Sequence, residues 1–493
     1  MTARSGGSGQ QLQGKRVTVL GLGREGAAVS RFGVQQGALV TATDLKDAEQ
    51  LKPVLEELAG LPIRYALGRH PEQVLDCDVV FVSPGVPLDV PILIEARRRG
   101  LLLSSEARLF CHLCPGAIVG ITGSSGKTTT CTLLAKMLEA GGRRVHLGGN
   151  IGNPLIGGVQ DIQVDDVVVM ELSSFQLDFF GAVLDAEPRS DLVAPLFPSG
   201  GWSPPVACVL NITPNHLDRH PTMEAYIKAK RNIVAYQGEG DHTVLSLDND
   251  SARDLANDCA GEASFFSLVQ PVPRGAFLRG NTLVLRSEAR TTDICPIGDV
   301  RLRGMHNVSN ALAASALADV LGIPAEVMAD VIRTFSGVEH RLEPVCEVNG
   351  AWYYNDSIAT SPERAMAALQ SFEEPVVLLA GGRDKHLPWH DWAELVSRKV
   401  ARVITFGEAA VLIESVVEKL GSNAPPLHHA DSVTEAVHLA HDLVVPGQVV
   451  LFSPGGTSFD SFRDYEQRGQ EFKRLVRALA GRSQRARADA QKG

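Results

Sequence analysis

The residues best suited to chemistry lie in Gly120-Ile-Thr-Gly-Ser-Ser-Gly-Lys-Thr-Thr-Thr130. An apolar run, Ala117 to Val119, precedes them and reads as a strand; Cys131 to Ala140 follows and reads as an amphipathic helix. A glycine-rich turn between strand and helix bares backbone N–H groups, and the helix N-terminus adds the positive end of its dipole. Lys127 can reach phosphate oxygens, and the Thr128 hydroxyl can ligate Mg²⁺. The usual phosphate loop has glycine five positions before its Gly-Lys pair. Ile121 stands there in this chain, and the glycines fall at Gly120, Gly123 and Gly126. An ordinary glycine-rich turn is the alternative, but Gly-Lys-Thr opening a helix directly after a buried strand favours a bound nucleoside triphosphate.

Other candidates sit where strands end. Glu171 closes the apolar run Val167-Val-Val-Met170, a position where a metal or phosphate can lie. The alternative is a charge at the N-terminus of a helix ahead of Ser173-Ser174. A lone histidine is more often structural, yet His216 follows the end of the strand Val206 to Leu210, where α/β proteins gather ligands. Lys230, in Ala229-Lys-Arg231, reads on its own as a solvated helix lysine. Gly21-Leu-Gly-Arg-Glu-Gly26, with Asp44 at the end of the next strand, matches the dinucleotide fingerprint. Cys111-His-Leu-Cys114 lacks a second Cys-x-x-Cys and precedes Pro115, so buried or incidental thiols are expected rather than half a zinc site.

The elements that must position these residues alternate. Arg16 to Gly21, Val40 to Thr43 and Val79 to Val82 read as strands of a first segment that closes near Cys114. Val244 to Leu247 and Thr282 to Leu285 add strands to a second, with helices at Tyr226 to Ala235 and Asn307 to Leu321. Val376 to Ala380, Arg402 to Phe406 and Val449 to Phe452 are strands of a third, with a helix at Ser432 to Val444. Alternation of strand and helix implies parallel sheets with ligands at their carboxyl ends. Asp185 to Pro205, rich in Pro, Gly and Ser, reads as a surface loop or insertion.

With 493 residues, three α/β domains are expected. A hydrophobic fraction of 44% supports substantial cores, and a net charge of −10 argues against a general nucleic-acid binder. Met1 to Gln13 lacks the apolar centre of a signal peptide, and no run of about 18 apolar residues suggests a membrane span. Eight scattered cysteines fit a reducing, cytoplasmic setting.

The ordered motifs identify a family. Gly120 to Thr130, Gly148-Gly-Asn-Ile-Gly152, Glu171-Leu-Ser-Ser-Phe-Gln176, Asn211-Ile-Thr-Pro-Asn-His-Leu-Asp-Arg219 and His306-Asn-Val-Ser-Asn310 come first. His340-Arg341, Asn355-Asp356-Ser357, Gly381 to Lys385, Ser453 to Asp460 and Tyr465-Glu-Gln-Arg-Gly469 follow. Together they resemble the Mur ligase family from about Lys15 to Ala478. The resemblance implies a Rossmann-like domain for a UDP-sugar at 15–114, a central P-loop ATPase-like α/β domain at 115–337 and a Rossmann-like, amino-acid-binding domain at 338–480. Disordered ends are expected at 1–14 and 481–493, and hinges near 114 and 338.

The implied reaction joins D-glutamate to UDP-N-acetylmuramoyl-L-alanine through an acyl phosphate, with ATP consumed and two Mg²⁺ ions engaged, in a cytoplasmic monomer. Lys127, Glu171, His216 and Lys230 are the implied catalytic residues. The ATP contacts are Gly123, Ser124, Ser125, Gly126, Lys127, Thr128, Thr129, Asn307, Asn310, Arg341 and Asp356. Thr128, Glu171, His216 and a carbamylated Lys230 are the implied metal ligands. The fingerprint turn is reassigned from a dinucleotide to the UDP-sugar, with Gly23, Arg24, Glu25, Asp44, Ser83, Pro84, Gly85, Asn150 and His216 as contacts. Thr360, Lys385, Ser458 and Tyr465 are carried over for the amino acid. Two departures bear on this: Asn215 where many relatives have Asp, and Ile358 where they often have Lys.

Three rival readings are separable. A nicotinamide dehydrogenase leaves the Gly-Lys-Thr loop idle. A simple phosphate-loop switch is indifferent to UDP-sugars. A sibling ligase adds another amino acid, L-glutamate included; the diaminopimelate branch's Asp-Asn-Pro-Arg motif is absent.

Overall fold

The computed structural model describes residues 12–152, 154–181, 200–214, 219–287, 290–385 and 387–490, with side chains to 481. Asn215, His216 and most of the 185–205 segment therefore lie outside the described residues.

Three sheets account for the three α/β domains. The first holds β1 (Arg16–Leu20), β2 (Leu39–Asp44), β3 (Ile63–Leu67), β4 (Val79–Val82) and β5 (Leu102–Ser104) in the order 3-2-1-4-5, all parallel. Its order reverses beside β1, so the loops after β1 and β4 open a crevice there. The second contains β6 (Ala117–Thr122), β7 (Val145–Gly149), β8 (Val167–Glu171), β9 (Val206–Val209), β10 (His242–Ser246), β11 (Glu262–Ser267), β12 (Gly275–Arg279), β13 (Thr282–Ser287) and β14 (Arg290–Pro296). They run 14-13-12-11-10-9-6-8-7, parallel from β7 to β12 and antiparallel from β12 to β14. The third has β15 (Glu343–Val348), β16 (Ala351–Asn355), β17 (Val376–Gly381), β18 (Val400–Phe406), β19 (Leu427–Ala430) and β20 (Val449–Gly455) in the order 15-16-20-17-18-19. Only the β15–β16 pair is antiparallel there.

The parallel strands are unbroken apolar runs because helices cover both faces. Every residue of β4, β8, β9 and β17 is buried. The antiparallel edges depart from the expected all-parallel sheets, and short turns explain them. Asn349 and Gly350 join β15 to β16 with φ of 51° and 80°, the left-handed pair that a two-residue hairpin requires.

The chain divides into two compact units, 1–301 with 305–335, and 302–304 with 336–493. In the first unit one apolar cluster runs from Val17, Val79 and Phe81 through Cys111 to Val168, Met170 and Val209, so the first two sheets share a core. The Cys111 sulfur lies 3.7 Å from that of Met170, and Cys114 is also buried. All eight cysteines are free; Cys259 and Cys346 alone are partly exposed.

Two corrections concern the ends. Leu12 is buried and Gly14 N–H donates to Gly37 O at 2.9 Å, so order begins before residue 15. The last helix, Tyr465–Ala490, continues past residue 480, because alanine and arginine propagate a helix well. The helix expected at Tyr226 to Ala235 is Met223–Arg231, since the Thr222 side chain caps its N-terminus by accepting Ala225 N–H.

Candidate active site

β6 lies between β8 and β9 in the second sheet, so three strand ends converge on the glycine loop. From the end of β9, Asn211 accepts Ser124 N–H through its carbonyl and Ser125 N–H through Oδ1, both at 2.9 Å. Gly126 has φ of 82°, and a Cβ there would stand 2.3 Å from Asn310 Oδ1. Asn310 in turn donates to Asn307 Oδ1 at 3.1 Å. The helix Lys127–Ala140 starts at this loop, and Lys127 Nζ folds back to Gly123 O at 2.9 Å. Thr129 is buried beneath it.

Glu171 ends β8 and is 2% exposed. Its Oε2 accepts the Thr128 hydroxyl at 2.7 Å, and its Oε1 accepts Asn150 Nδ2 at 2.7 Å. Asn150 can approach because Gly149, at φ 96°, has no side chain; a Cβ there would lie 2.4 Å from Glu171 O. Lys230 is 1% exposed, not solvated as the sequence alone suggests. Its ammonium donates to Thr122 Oγ1 and Gly123 O, each at 3.1 Å, and lies 4.8 Å from the Tyr226 ring centroid. Burial, then the Lys127 charge, holds its pKa well below the lysine value, with Glu171 opposing. Tyr226 Oη meets Ser124 Oγ at 3.2 Å.

In the first domain, Gly26 packs so closely that a Cβ would overlap Gly21 O at 1.9 Å, while the space around Gly23 is open. Ser83 Oγ donates to Gly21 O at 2.7 Å, which joins the turns after β1 and β4. Asp44 braces the same turn: Oδ2 accepts Leu22 N–H at 2.7 Å and Oδ1 accepts Lys46 N–H at 2.9 Å. Arg24 donates to Gly152 O at 2.9 Å. The Glu25 carboxyl turns to Gln176, which donates to Oε1 at 2.8 Å, and its Oε2 is sealed without a partner. Burial and the neighbouring Glu106 raise its pKa, opposed by Gln176 and Arg24. The carbonyls of Pro84 and Gly85 accept from Arg219.

The second unit carries the remaining candidates. Asp356 is buried at the end of β16 and accepts Ser453 Oγ at 2.7 Å and Leu342 N–H at 3.1 Å. Burial raises its pKa to about 7, with Ser453, Leu342, Arg341 and Arg364 opposing. Lys385 Nζ reaches Thr360 Oγ1 at 3.4 Å. Burial and the charges of Arg364 and Arg468 lower its pKa. Arg468 is fully buried and donates to Ser357 O and Gly456 O at 2.9 and 3.1 Å; burial lowers it to about 10. Ser458 is buried, its carbonyl accepting Phe462 N–H at 2.8 Å, and the Tyr465 ring lies edge-on to His340, 6.1 Å away. Lys385 thus lies within the field of two further cations, Arg364 and the buried Arg468.

Family models for the Mur ligase MurD-like N-terminal domain, the Mur ligase middle domain and the Mur ligase glutamate ligase domain match residues 15–104, 121–194 with 198–318, and 340–456. The UDP-N-acetylmuramoylalanine–D-glutamate ligase of Symbiobacterium thermophilum is 41% identical over 476 residues, covering 96% of this chain and 100% of that one. That of Acetivibrio thermocellus is 39% identical, covering 95% and 98%. The chain belongs to the Mur ligase family. Among solved Mur ligases, the UDP-N-acetylmuramate–alanine ligase MurC of Thermotoga maritima shares the fold, with a TM-score of 0.55, 19% identity, and 94% and 99% of the two chains covered. MurF of Thermotoga maritima, solved with ADP, gives a TM-score of 0.51 at 17% identity, covering 96% and 97%.

In this Mur ligase, Lys127, Thr128, Glu171, Asn150 and Lys230 meet around one loop, and Asn307 and Asn310 border it. Arg341, Asp356, Thr360, Lys385, Ser458 and Tyr465 belong to the second unit. Arg219, Gln176, Tyr226 and Arg468 were given no role from sequence. Arg219, Gln176 and Arg468 lie inside quoted motifs, the one signal available for them, and Tyr226 begins the helix expected through Ala235.

Proposed function

We infer that this Mur ligase is a UDP-N-acetylmuramoylalanine–D-glutamate ligase. It adds D-glutamate to UDP-N-acetylmuramoyl-L-alanine at the expense of ATP, in the synthesis of peptidoglycan. The observation that carries this reading is the meeting of Lys127, Thr128, Glu171 and Lys230 at one glycine loop, in a chain alike to D-glutamate ligases from end to end.

A carboxylate is a poor acyl donor at neutral pH. Phosphoryl transfer from ATP to the alanyl carboxylate gives an acyl phosphate and ADP. The amine of D-glutamate then attacks the carbonyl carbon, loses a proton and expels phosphate. The protein's part is to align the anions and to neutralise their charge. The Lys127 ammonium and the open N-terminus of its helix receive the phosphates, since the Ser124 and Ser125 N–H groups already donate to Asn211 and hold the loop in shape. The Thr128 hydroxyl and Glu171 Oε2, 2.7 Å apart, are hard oxygen donors that suit Mg²⁺. That ion takes few protein ligands and completes its shell with water and phosphate, so a pair suffices. Bound there, Mg²⁺ draws charge from the transferring phosphoryl group.

Lys230, with no carboxylate partner among the described residues, suits conversion to a carbamate: its neutral amine adds CO₂ and releases a proton, which makes an anion for a second Mg²⁺. His216 is assigned to that metal site by resemblance. Gly23, Arg24, Glu25, Asp44, Ser83, Pro84, Gly85 and Asn150 are assigned to the UDP-sugar. Asn307, Asn310, Arg341 and Asp356 take adenosine. Thr360, Lys385, Ser458 and Tyr465 take the glutamate, with Lys385 as the fixed cation. We place the enzyme in the cytoplasm as a monomer; no helix among the described residues is long and apolar enough to cross a membrane.

The test is phosphate release from ATP with UDP-N-acetylmuramoyl-L-alanine and a panel of amino acids. Release is expected only when the UDP-sugar and D-glutamate are both present. Turnover with diaminopimelate and none with glutamate would refute the assignment; turnover with L-glutamate alone would move it to the sibling reading.

A further inference from the structure

We propose that Arg219 is a positioning residue that couples the turn after β4 to the segment carrying Glu171, so that UDP-sugar binding tightens ATP–Mg²⁺ binding. The proposal rests on the assignment of Ser83, Pro84 and Gly85 to the UDP-sugar.

The Arg219 guanidinium gathers three successive carbonyls of that turn. Nη1 donates to Gly85 O at 2.9 Å, and Nη2 donates to Pro84 O at 3.1 Å and Val86 O at 3.2 Å. Its face lies over the Phe175 ring, 4.7 Å from the centroid. Phe175 also stacks on His220, at 5.5 Å and 11°, and His220 Nε2 meets Ser174 Oγ at 3.0 Å. One side chain therefore holds the first-domain turn by its edge and the second-domain segment by its face. Only a planar, permanently charged fork does both; a lysine offers no face to stack and no fixed fan of donors. Arg219 is also the cation that opposes the rise in the Asp178 pKa caused by burial.

A second tie acts on the same segment. Gln176 donates to Glu25 of the first-domain glycine turn and closes a capping box with Ser173. Residues 173–176 are thus tied to both turns of the first-domain crevice and begin two positions after Glu171. A ligand that fixes those turns also fixes Glu171 relative to Thr128.

The experiment measures the affinity of a non-hydrolysable ATP analogue with Mg²⁺, by calorimetry, with and without saturating UDP-N-acetylmuramoyl-L-alanine. In the wild type the sugar is expected to tighten nucleotide binding about fivefold or more, the lower end of ordinary coupling. In Arg219→Gln and Arg219→Lys the ratio is expected to fall toward one, while nucleotide affinity without the sugar stays within about twofold, a split that general loosening would not give. A wild-type ratio of one, or an unchanged ratio in folded Arg219→Gln, overturns the proposal. If Arg219→Gln does not fold, Phe175→Leu removes the stacked face and keeps the hydrogen bonds; an unchanged ratio there overturns it equally. Gly85→Val tests the underlying assignment separately, since a Cβ at Gly85 meets nothing within 4 Å and would project into the space given to the sugar. UDP-sugar affinity unaltered in Gly85→Val rejects the location of the sugar, whatever Arg219 does.

Discussion

The Lys230 ammonium has two neutral oxygens for partners and almost no solvent, so its uncharged form is favoured far below the usual lysine range. Growth of the carbamate signal in ¹³C NMR on adding labelled bicarbonate to the wild type, and its absence in Lys230→Ala, is the expected outcome. Activity of the variant should fall by about 100-fold, the upper end for losing support at a metal; no signal in active enzyme rejects the carbamate. Asp356 gives a pH prediction. Its folded pKa of about 7 stands above the 3.8 of the unfolded chain, so the folded state holds the extra proton. Stability from this group is complete below about pH 4 and is lost as pH rises through about 7. Urea unfolding of the second unit should therefore show wild type losing stability between pH 4 and 8, and Asp356→Asn losing less. Equal slopes would contradict the shift. Residues with distinctive chemistry in a motif, such as Lys127, Thr128 and Glu171, were legible from sequence. Burial of Lys230 and the three carbonyls around Arg219 were not, because both depend on segments brought together from far along the chain.

At the scale of elements, the site is a meeting of strand ends, and glycines set how closely they meet. Gly149→Ala forces a Cβ to 2.4 Å from Glu171 O at a φ of 96°. About 1–3 kcal/mol of backbone strain is expected, together with displacement of Glu171 from Thr128. Thermal unfolding should show the first unit destabilised, and the KM for ATP should rise; an unchanged KM would mean that Asn150 and Glu171 need not approach each other. The apolar strands β4, β8, β9, β17 and β20 were legible because full burial leaves continuous valine and leucine runs. The antiparallel edges were missed. Asn349-Gly350 is a strong hairpin signal, but it is a two-residue feature inside a segment whose dominant pattern is strand–helix alternation.

At the scale of the molecule, the chain forms two compact units, and the UDP-sugar, whose assigned contacts all belong to the first, is expected to act on that unit alone. Scanning calorimetry should resolve two transitions. UDP-sugar at 100 times its dissociation constant should raise the stability of the first by about 2.7 kcal/mol and leave the second in place. A single transition that moves as a whole would show the units to be thermodynamically one. The cysteine distribution makes the same division visible by another route. The two partly exposed cysteines fall one in each unit, Cys259 and Cys346, while the other six are buried. Modification of the native enzyme by a coloured disulfide should stop near two equivalents and resume only as a core opens, so the late phase becomes a clock for breathing of each half.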